Sequence, residues 1–162
     1  MIQKFHRFYF TLIFSFLSVA SFSQFRAQEI YWTPDGTAYL KLHEGNIVRT
    51  DVKTNTETII VKKEQLIPAG TGKALTFNIY SFSPDNKSLL VFTNTAKVWR
   101  YRTRGDYWIL DLSSNQLTKL GKGLPSQSLM YAKLSPDGKK AAYVREHNLY
   151  MEGLSSHEIC QL

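Results

Sequence analysis

The residues best suited to chemistry lie in one stretch, Asn94-Thr95-Ala96-Lys97-Val98-Trp99-Arg100-Tyr101-Arg102-Thr103-Arg104. If it is extended, a period of two puts Arg100, Arg102 and Arg104 on one face and Trp99, Tyr101 and Thr103 on the other. Arginine presents a planar fork of donors that holds carboxylate or carbonyl oxygens in a fixed orientation, so such a face suits an anion or a peptide carbonyl. The competing reading is a solvated edge hairpin whose charges keep other strands from pairing with it. No other cluster competes. The chain has no Gly-x-Ser-x-Gly elbow to generate an activated serine. His43, His147 and His157 sit in polar or turn-like segments and read as surface histidines. No His/Cys/Asp/Glu set has metal-ligand spacing, so the expectation is no catalytic residue, no metal and no cofactor.

The elements that must position this stretch emerge from a repeat. Thr33-Pro34-Asp35-Gly36, Ser83-Pro84-Asp85-Asn86 and Ser135-Pro136-Asp137-Gly138 place prolines 50 and 52 residues apart. In each, Ser or Thr caps a turn, Pro presets φ near −65°, and Asp followed by Gly or Asn tolerates a tight reversal. β-favouring segments flank every copy: Ile30–Trp32 and Ala38–Leu40, Ile79–Phe82 and Leu89–Phe92, Met130–Leu134 and Ala141–Val144. A third strand follows at 46–52, 107–112 and 148–154, and a fourth at 58–61, 117–120 and 159–162. Four short antiparallel strands per repeat of about 50 residues describe a β-propeller blade. The predicted fold is all-β: a partial β-propeller of three four-stranded blades, at about 28–61, 75–121 and 128–162, belonging to a larger ring. A sandwich of about twelve strands is the structural alternative. From the Ser or Thr of the turn to the residue just before the Asn or Asp that leads the third strand (Asn46, Asp106, Asn148) is 12 positions in copies one and three and 22 in copy two, so about ten extra residues enter the middle copy. They are the arginine-rich stretch itself, an extension of the kind that carries function on a regular scaffold.

The first residues read as a secretory signal. Lys4 and Arg7 precede an apolar run from Phe8 to Ala20, with small residues at Ser21 and Ser23. The expected division is 1–23 signal peptide and 24–162 partial propeller. The product would be periplasmic or at the cell surface, or membrane-anchored if the run is retained, although it is short for a span. Removing Lys4 and Arg7 lowers the formal charge from +7 to +5, too mild to imply nucleic acid. The single cysteine, Cys160, forms no internal disulfide, so packing must hold the chain together.

Ser81-Phe82-Ser83-Pro84-Asp85, Ala96-Lys97-Val98-Trp99-Arg100-Tyr101 and Asp106-Tyr107-Trp108-Ile109-Leu110-Asp111-Leu112 together resemble the N-terminal propeller of dipeptidyl peptidase IV and its bacterial relatives in the prolyl oligopeptidase family. Leu134–Val144 followed by Asn148-Leu149-Tyr150 continues the likeness, which covers roughly residues 28–162. The turns are shared by many propellers; the Trp99-Arg100 insertion before the Tyr107 strand is the specific part. The resemblance implies an eight-bladed propeller over an α/β-hydrolase domain that releases N-terminal dipeptides, preferably after proline or alanine. It implies that Arg100 positions substrate, with Trp99, Arg102 and Arg104 as accessory candidates, and that the family's amine-binding glutamates have no equivalent here. The implied partners are a peptide substrate, the remaining blades and the hydrolase domain; a homodimer is compatible with the sequence. On this reading the chain by itself is inactive. A non-enzymatic exported propeller that binds proteins, like that of the Tol system, explains the repeats equally well but not the insertion.

Overall fold

The computed structural model describes residues 30–162; the signal-peptide reading of residues 1–23 lies outside them. The strands are β1 (Tyr31–Trp32), β2 (Ala38–His43), β3 (Asn46–Asp51), β4 (Glu57–Val61), β5 (Phe77–Phe82), β6 (Ser88–Val98), β7 (Tyr101–Asp111), β8 (Gln116–Lys119), β9 (Leu129–Leu134), β10 (Lys140–Arg145), β11 (Asn148–Gly153) and β12 (Ile159–Gln161). A single 3-10 turn, Lys63–Leu66, is the one helical element among the described residues, and no helix there is long and apolar enough to cross a membrane. All strand pairings are antiparallel.

The repeated tetrapeptides make the same turn three times. The threonine or serine carbonyl accepts the N–H of the fourth residue at 2.9 Å in each, Gly36, Asn86 and Gly138. The hydroxyl of Thr33, Ser83 or Ser135 donates to the following aspartate at 2.6 Å. That hydroxyl oxygen also accepts the first N–H of the next strand, from Ala38 at 3.1 Å, Ser88 at 2.9 Å and Lys140 at 2.9 Å. The fourth residue sits at φ +67°, +55° and +66° in the three copies, the left-handed region that glycine enters freely and asparagine tolerates. One side chain thus closes both ends of the reversal, which explains why the Ser/Thr-Pro-Asp pattern marks every start of a second strand.

Strands β1 to β4 form one sheet in sequence order. Strands β5 to β8 and β9 to β12 form the second and third units, each again in hairpin order. The units stack face to face. Ile47 and Val61 of the first sheet and Leu66 pack with Phe77, Tyr80, Leu89, Val91 and Leu110 of the second. The opposite face of that second sheet, Leu90, Phe92, Tyr107 and Ile109, packs with Leu129, Ala132, Ala141 and Tyr143 of the third. Because the middle sheet is covered on both sides, Ser88–Thr93 is buried without interruption, whereas an outer strand such as β4 leaves Ile59 and Ile60 exposed. A buried carboxylate joins the second and third units: Glu152, 1% exposed, accepts the Gly121 N–H at 2.8 Å and the Tyr143 hydroxyl at 3.2 Å. Burial beside that carboxylate raises the Tyr143 pKa.

The turn hydrogen bonds set a pH dependence. Those from Thr33 and Thr37 lower the Asp35 pKa from 3.8 to about 2; Asp85 and Asp137 are lowered chiefly by Ser83 and Ser135. A depressed carboxyl pKa contributes stability that is complete above the unfolded value and is lost as pH falls through the folded one. Urea unfolding of the chain should therefore lose resistance between about pH 4 and about pH 2. A variant carrying Asp35→Asn, Asp85→Asn and Asp137→Asn should unfold more easily at pH 7 and show a flatter acid limb; matching acid limbs would remove these carboxylates as a source of stability.

Candidate functional site

The extra residues of the middle copy form a hairpin of two long strands. Strands β6 and β7 both run for 11 residues and close in a two-residue turn at Trp99-Arg100, with Val98 paired to Tyr101. Trp99 takes φ +60° at the first turn position, where a hairpin of this kind normally carries glycine, and its indole is 95% exposed. The arm's ladder is irregular, with register shifts either side of Ala96. These shifts bend and twist the arm away from the plane of its own sheet.

The bend carries β7 onto the next unit. Arg104 pairs with Met130 and Gly105 with Leu129, so a strand that starts beside β9 ends between β6 and β8. The crossing demands glycine at 105, because a Cβ there would lie 2.6 Å from the Phe92 ring and 2.7 Å from the Thr93 carbonyl oxygen. Immediately after it, the buried Asp106 gathers the surrounding chain. Its Oδ2 accepts Asn94 Nδ2 at 2.7 Å and Ser126 Oγ at 3.0 Å, and its Oδ1 accepts the Gln127 N–H at 3.0 Å and faces Lys119 Nζ at 3.1 Å. Burial raises its pKa, but donors from Asn94, Gln127 and Lys119 outweigh that and hold it below the ordinary carboxylate value. Asn94 and Gln127, which also bond each other at 3.0 Å, both adopt left-handed φ. The root of the arm is thus tied to the β8–β9 connection by one saturated carboxylate.

Under the arm lies a cleft of about 410 Å³ onto which the first strands of all three units converge. Tyr31 comes from β1, Ile79 to Ser81 from β5, Tyr131 to Lys133 from β9, and Arg102, Thr103 and Tyr107 from the arm and its root. Among the described residues, Arg102 and Lys133 are the charged lining groups and no carboxylate lines it, so the cleft favours oxygen-rich or anionic groups above an apolar floor. Burial raises the Tyr107 pKa, partly offset by hydrogen bonds from the Ala132 and Tyr131 backbone, so this phenol stays protonated.

The sequence-predicted residues separate accordingly. Arg100 does not share a strand face with Arg102 and Arg104; it occupies the turn beside Trp99, exposed at the arm's tip, because the hairpin reverses there. Arg102 lines the cleft, with one guanidinium nitrogen donating to the Thr95 carbonyl at 2.7 Å and to Thr95 Oγ1 at 3.3 Å. Arg104 is exposed and does not line it. His157 stands 3.8 Å from Glu152, and no group of three or more potential metal ligands occurs among the described residues. Sequence reasoning passed over Gly105, Asp106, Tyr107 and Tyr131 as site residues. A glycine inside a strand pattern signals close backbone approach and could have marked the crossing; nothing local marked Tyr131.

This arrangement, stacked four-stranded antiparallel units joined by hairpins, is that of a partial β-propeller. Residues 83–162 match the family described as the dipeptidyl peptidase IV (DPP IV) N-terminal region. The "Probable dipeptidyl-aminopeptidase B" of Ajellomyces dermatitidis (strain ER-3 / ATCC MYA-2586) is 27% identical over 152 residues, 85% of this chain and 16% of the relative. Its counterpart in Aspergillus oryzae (strain ATCC 42149 / RIB 40) is 30% identical over 112 residues, 69% of this chain and 12% of the relative. The crystal structure of Porphyromonas gingivalis dipeptidyl peptidase 4 shares the fold with a TM-score of 0.69 at 22% identity, over 83% of this chain and 19% of that one. The chain is a DPP IV-like N-terminal propeller segment, spanning less than a fifth of the length of these relatives.

The tight crossing makes a measurable demand. Gly105→Ala should lower stability by roughly 1–3 kcal/mol, the usual cost of forcing atoms into a packed site. In hydrogen exchange it should strip protection from the Arg104–Met130 and Gly105–Leu129 pairings first. Unchanged stability with intact protection would show that the crossing is looser than described.

Proposed function

We propose that this chain is the substrate-positioning part of a serine exopeptidase that releases N-terminal dipeptides, acting on the peptide while a hydrolase domain supplies the nucleophile. The observation that carries this reading is the arm. It extends a regular blade by one hairpin, is rooted by a saturated carboxylate, and leans over a cleft whose charged lining groups are all cationic. Peptide carbonyl oxygens are the complementary chemistry: Arg102 has donors beyond the nitrogen that Thr95 occupies, and Lys133 stands across the floor. Arg100, exposed at the tip, is the group free to reach a substrate held beyond the cleft's rim. The arm would then gate access as well as align the chain, with Trp99 and Arg100 at its exposed tip. No described residue lining the cleft is a carboxylate that could hold an amino terminus, and the proposal assigns that task elsewhere. Export is part of the same proposal, supported by the Lys4 and Arg7 charges ahead of the Phe8–Ala20 apolar run.

Glycyl-proline amide, which has no carboxylate to form a simple ion pair, is the test ligand. Titrated into the 15N-labelled chain, it should shift amide signals of β9 and of the arm. Arg102→Ala should weaken binding by about 10-fold, the worth of one hydrogen bond to a charged donor. Glycyl-prolyl-4-nitroanilide should not be turned over by the purified chain. Turnover that co-purifies with the chain, or amide shifts confined to the outer strands, would overturn the assignment.

A further inference from the structure

Glu152 has one carboxylate oxygen that the fold leaves without a donor. The residue is 1% exposed, and the Gly121 N–H and the Tyr143 hydroxyl both bond its Oε2. For Oε1 the nearest base is His157 Nδ1 at 3.8 Å, beyond hydrogen-bond reach. No lysine or arginine among the described residues pairs with it. A buried carboxylate is costly unless a cation or a full set of donors meets it. Oε1 is turned towards a second cleft of about 410 Å³: Glu152 and His157 line that cleft, while Gly121 and Tyr143 do not.

This cleft lies between the second and third units and shares no lining residue with the one beneath the arm. Its lining charges balance, Asp111 and Glu152 against Lys119 and Lys139. Two of the four are already engaged. Lys119 Nζ faces Asp106 at 3.1 Å, and Asp111 Oδ1 accepts the Ser113 and Ser114 N–H groups at 2.8 and 3.0 Å. Glu152 Oε1 remains inside, and the ammonium of Lys139, an exposed residue directly after the third turn, has no hydrogen bond or ion pair among the described residues. A bare cation would satisfy Glu152 but face both lysines, and a bare anion would face Glu152. A neutral ligand carrying both signs meets neither objection.

We propose that the cleft between the second and third units binds a small zwitterion, an amino acid or a dipeptide with both ends free, whose ammonium donates to Glu152 Oε1 and whose carboxylate meets Lys139. The volume suits a ligand of that size. Ile109, Leu120 and Leu154 line the remainder, so a short aliphatic side chain is accepted. The site is separate from the peptide-positioning cleft and stands or falls without it.

The full 15N-labelled chain is titrated at constant ionic strength with L-alanine and L-alanyl-L-alanine, and with the amide and the N-acetyl form of each. At least one zwitterion should shift the Gly121 N–H, which bonds the same carboxylate, in a saturable way; the tighter of the two reports the spacing between the charges. Amidation removes the negative end and acetylation the positive one, and each should weaken binding by about 10-fold, the scale of one hydrogen bond to a charged group. Glu152→Gln keeps an oxygen for Gly121 and Tyr143 and should weaken the zwitterion by about 10-fold as well. Lys139→Gln should bring the zwitterion down to the affinity of its amide and leave the amide unchanged. This second change lies at an exposed position and decides the matter if the first variant does not fold. No saturable shift at Gly121, shifts confined to β9 and the arm, amide or N-acetyl forms that bind as well as the zwitterion, or a zwitterion affinity unchanged by Lys139→Gln would each overturn the assignment.

Discussion

The strand that leaves one sheet for the next passes through a single point, Gly105, and everything distinctive about this propeller segment follows from that passage. There the backbone lies against the Phe92 ring and the Thr93 carbonyl with no room for a side chain. A crossing so close would leave polar groups at its margins unsatisfied in a partly buried place. Asp106 resolves this by accepting from Asn94, Ser126 and Gln127 and by pairing with Lys119. The carboxylate stays ionised because those donors outweigh the cost of burying it. Without the crossing the arm would be an ordinary hairpin projecting from an edge; with it the arm is fastened across two units.

Fastening lets the scaffold hold strained residues. Asn94 and Gln127 adopt left-handed backbone at the clamp itself, Trp99 at the tip of the arm and Tyr131 in the wall below it. Asparagine carries that conformation at little cost, but tryptophan and tyrosine do not. Such residues persist only where surrounding contacts over-determine them. For Tyr131 the over-determination comes from the neighbouring middle sheet, buried on both faces, whose core residues Leu89 to Phe92 divide alternately between two clusters, whereas Trp99 takes its φ from the two-residue turn. Rigidity in the stack thus supports distortion at the cleft, the arrangement expected where side-chain direction matters more than local stability.

The charge pattern has the same logic. Acidic side chains are largely consumed by structure: Asp35, Asp85 and Asp137 close turns, Asp51 and Asp111 cap the following reversals, Asp106 ties the arm and Glu152 joins units two and three. Among the described residues the cleft beneath the arm is left with Arg102 and Lys133 and no carboxylate, so its field favours acceptor-rich groups without a large net charge on the chain.

Much of the fold was legible in the primary structure, because each turn is closed by groups within a few residues of one another. The Ser/Thr-Pro-Asp reversals are local hydrogen-bond networks, so their spacing announced the strands and the repeat announced the stacked units. The long middle copy was legible too, as was its wealth of arginine. What the chain's order could not disclose is which of those arginines faces the cleft. A two-residue turn at Trp99-Arg100 takes Arg100 out of the alternation, and register shifts around Ala96 set the faces of the remainder. Tyr131 was hidden for a related reason. Its exposure comes from a bulge set by pairing with β10, and its neighbours Ile79 and Arg102 come from other strands. Hydrogen bonds between near neighbours are written in sequence; the convergence of three first strands beneath one arm is decided only when the sheets pack.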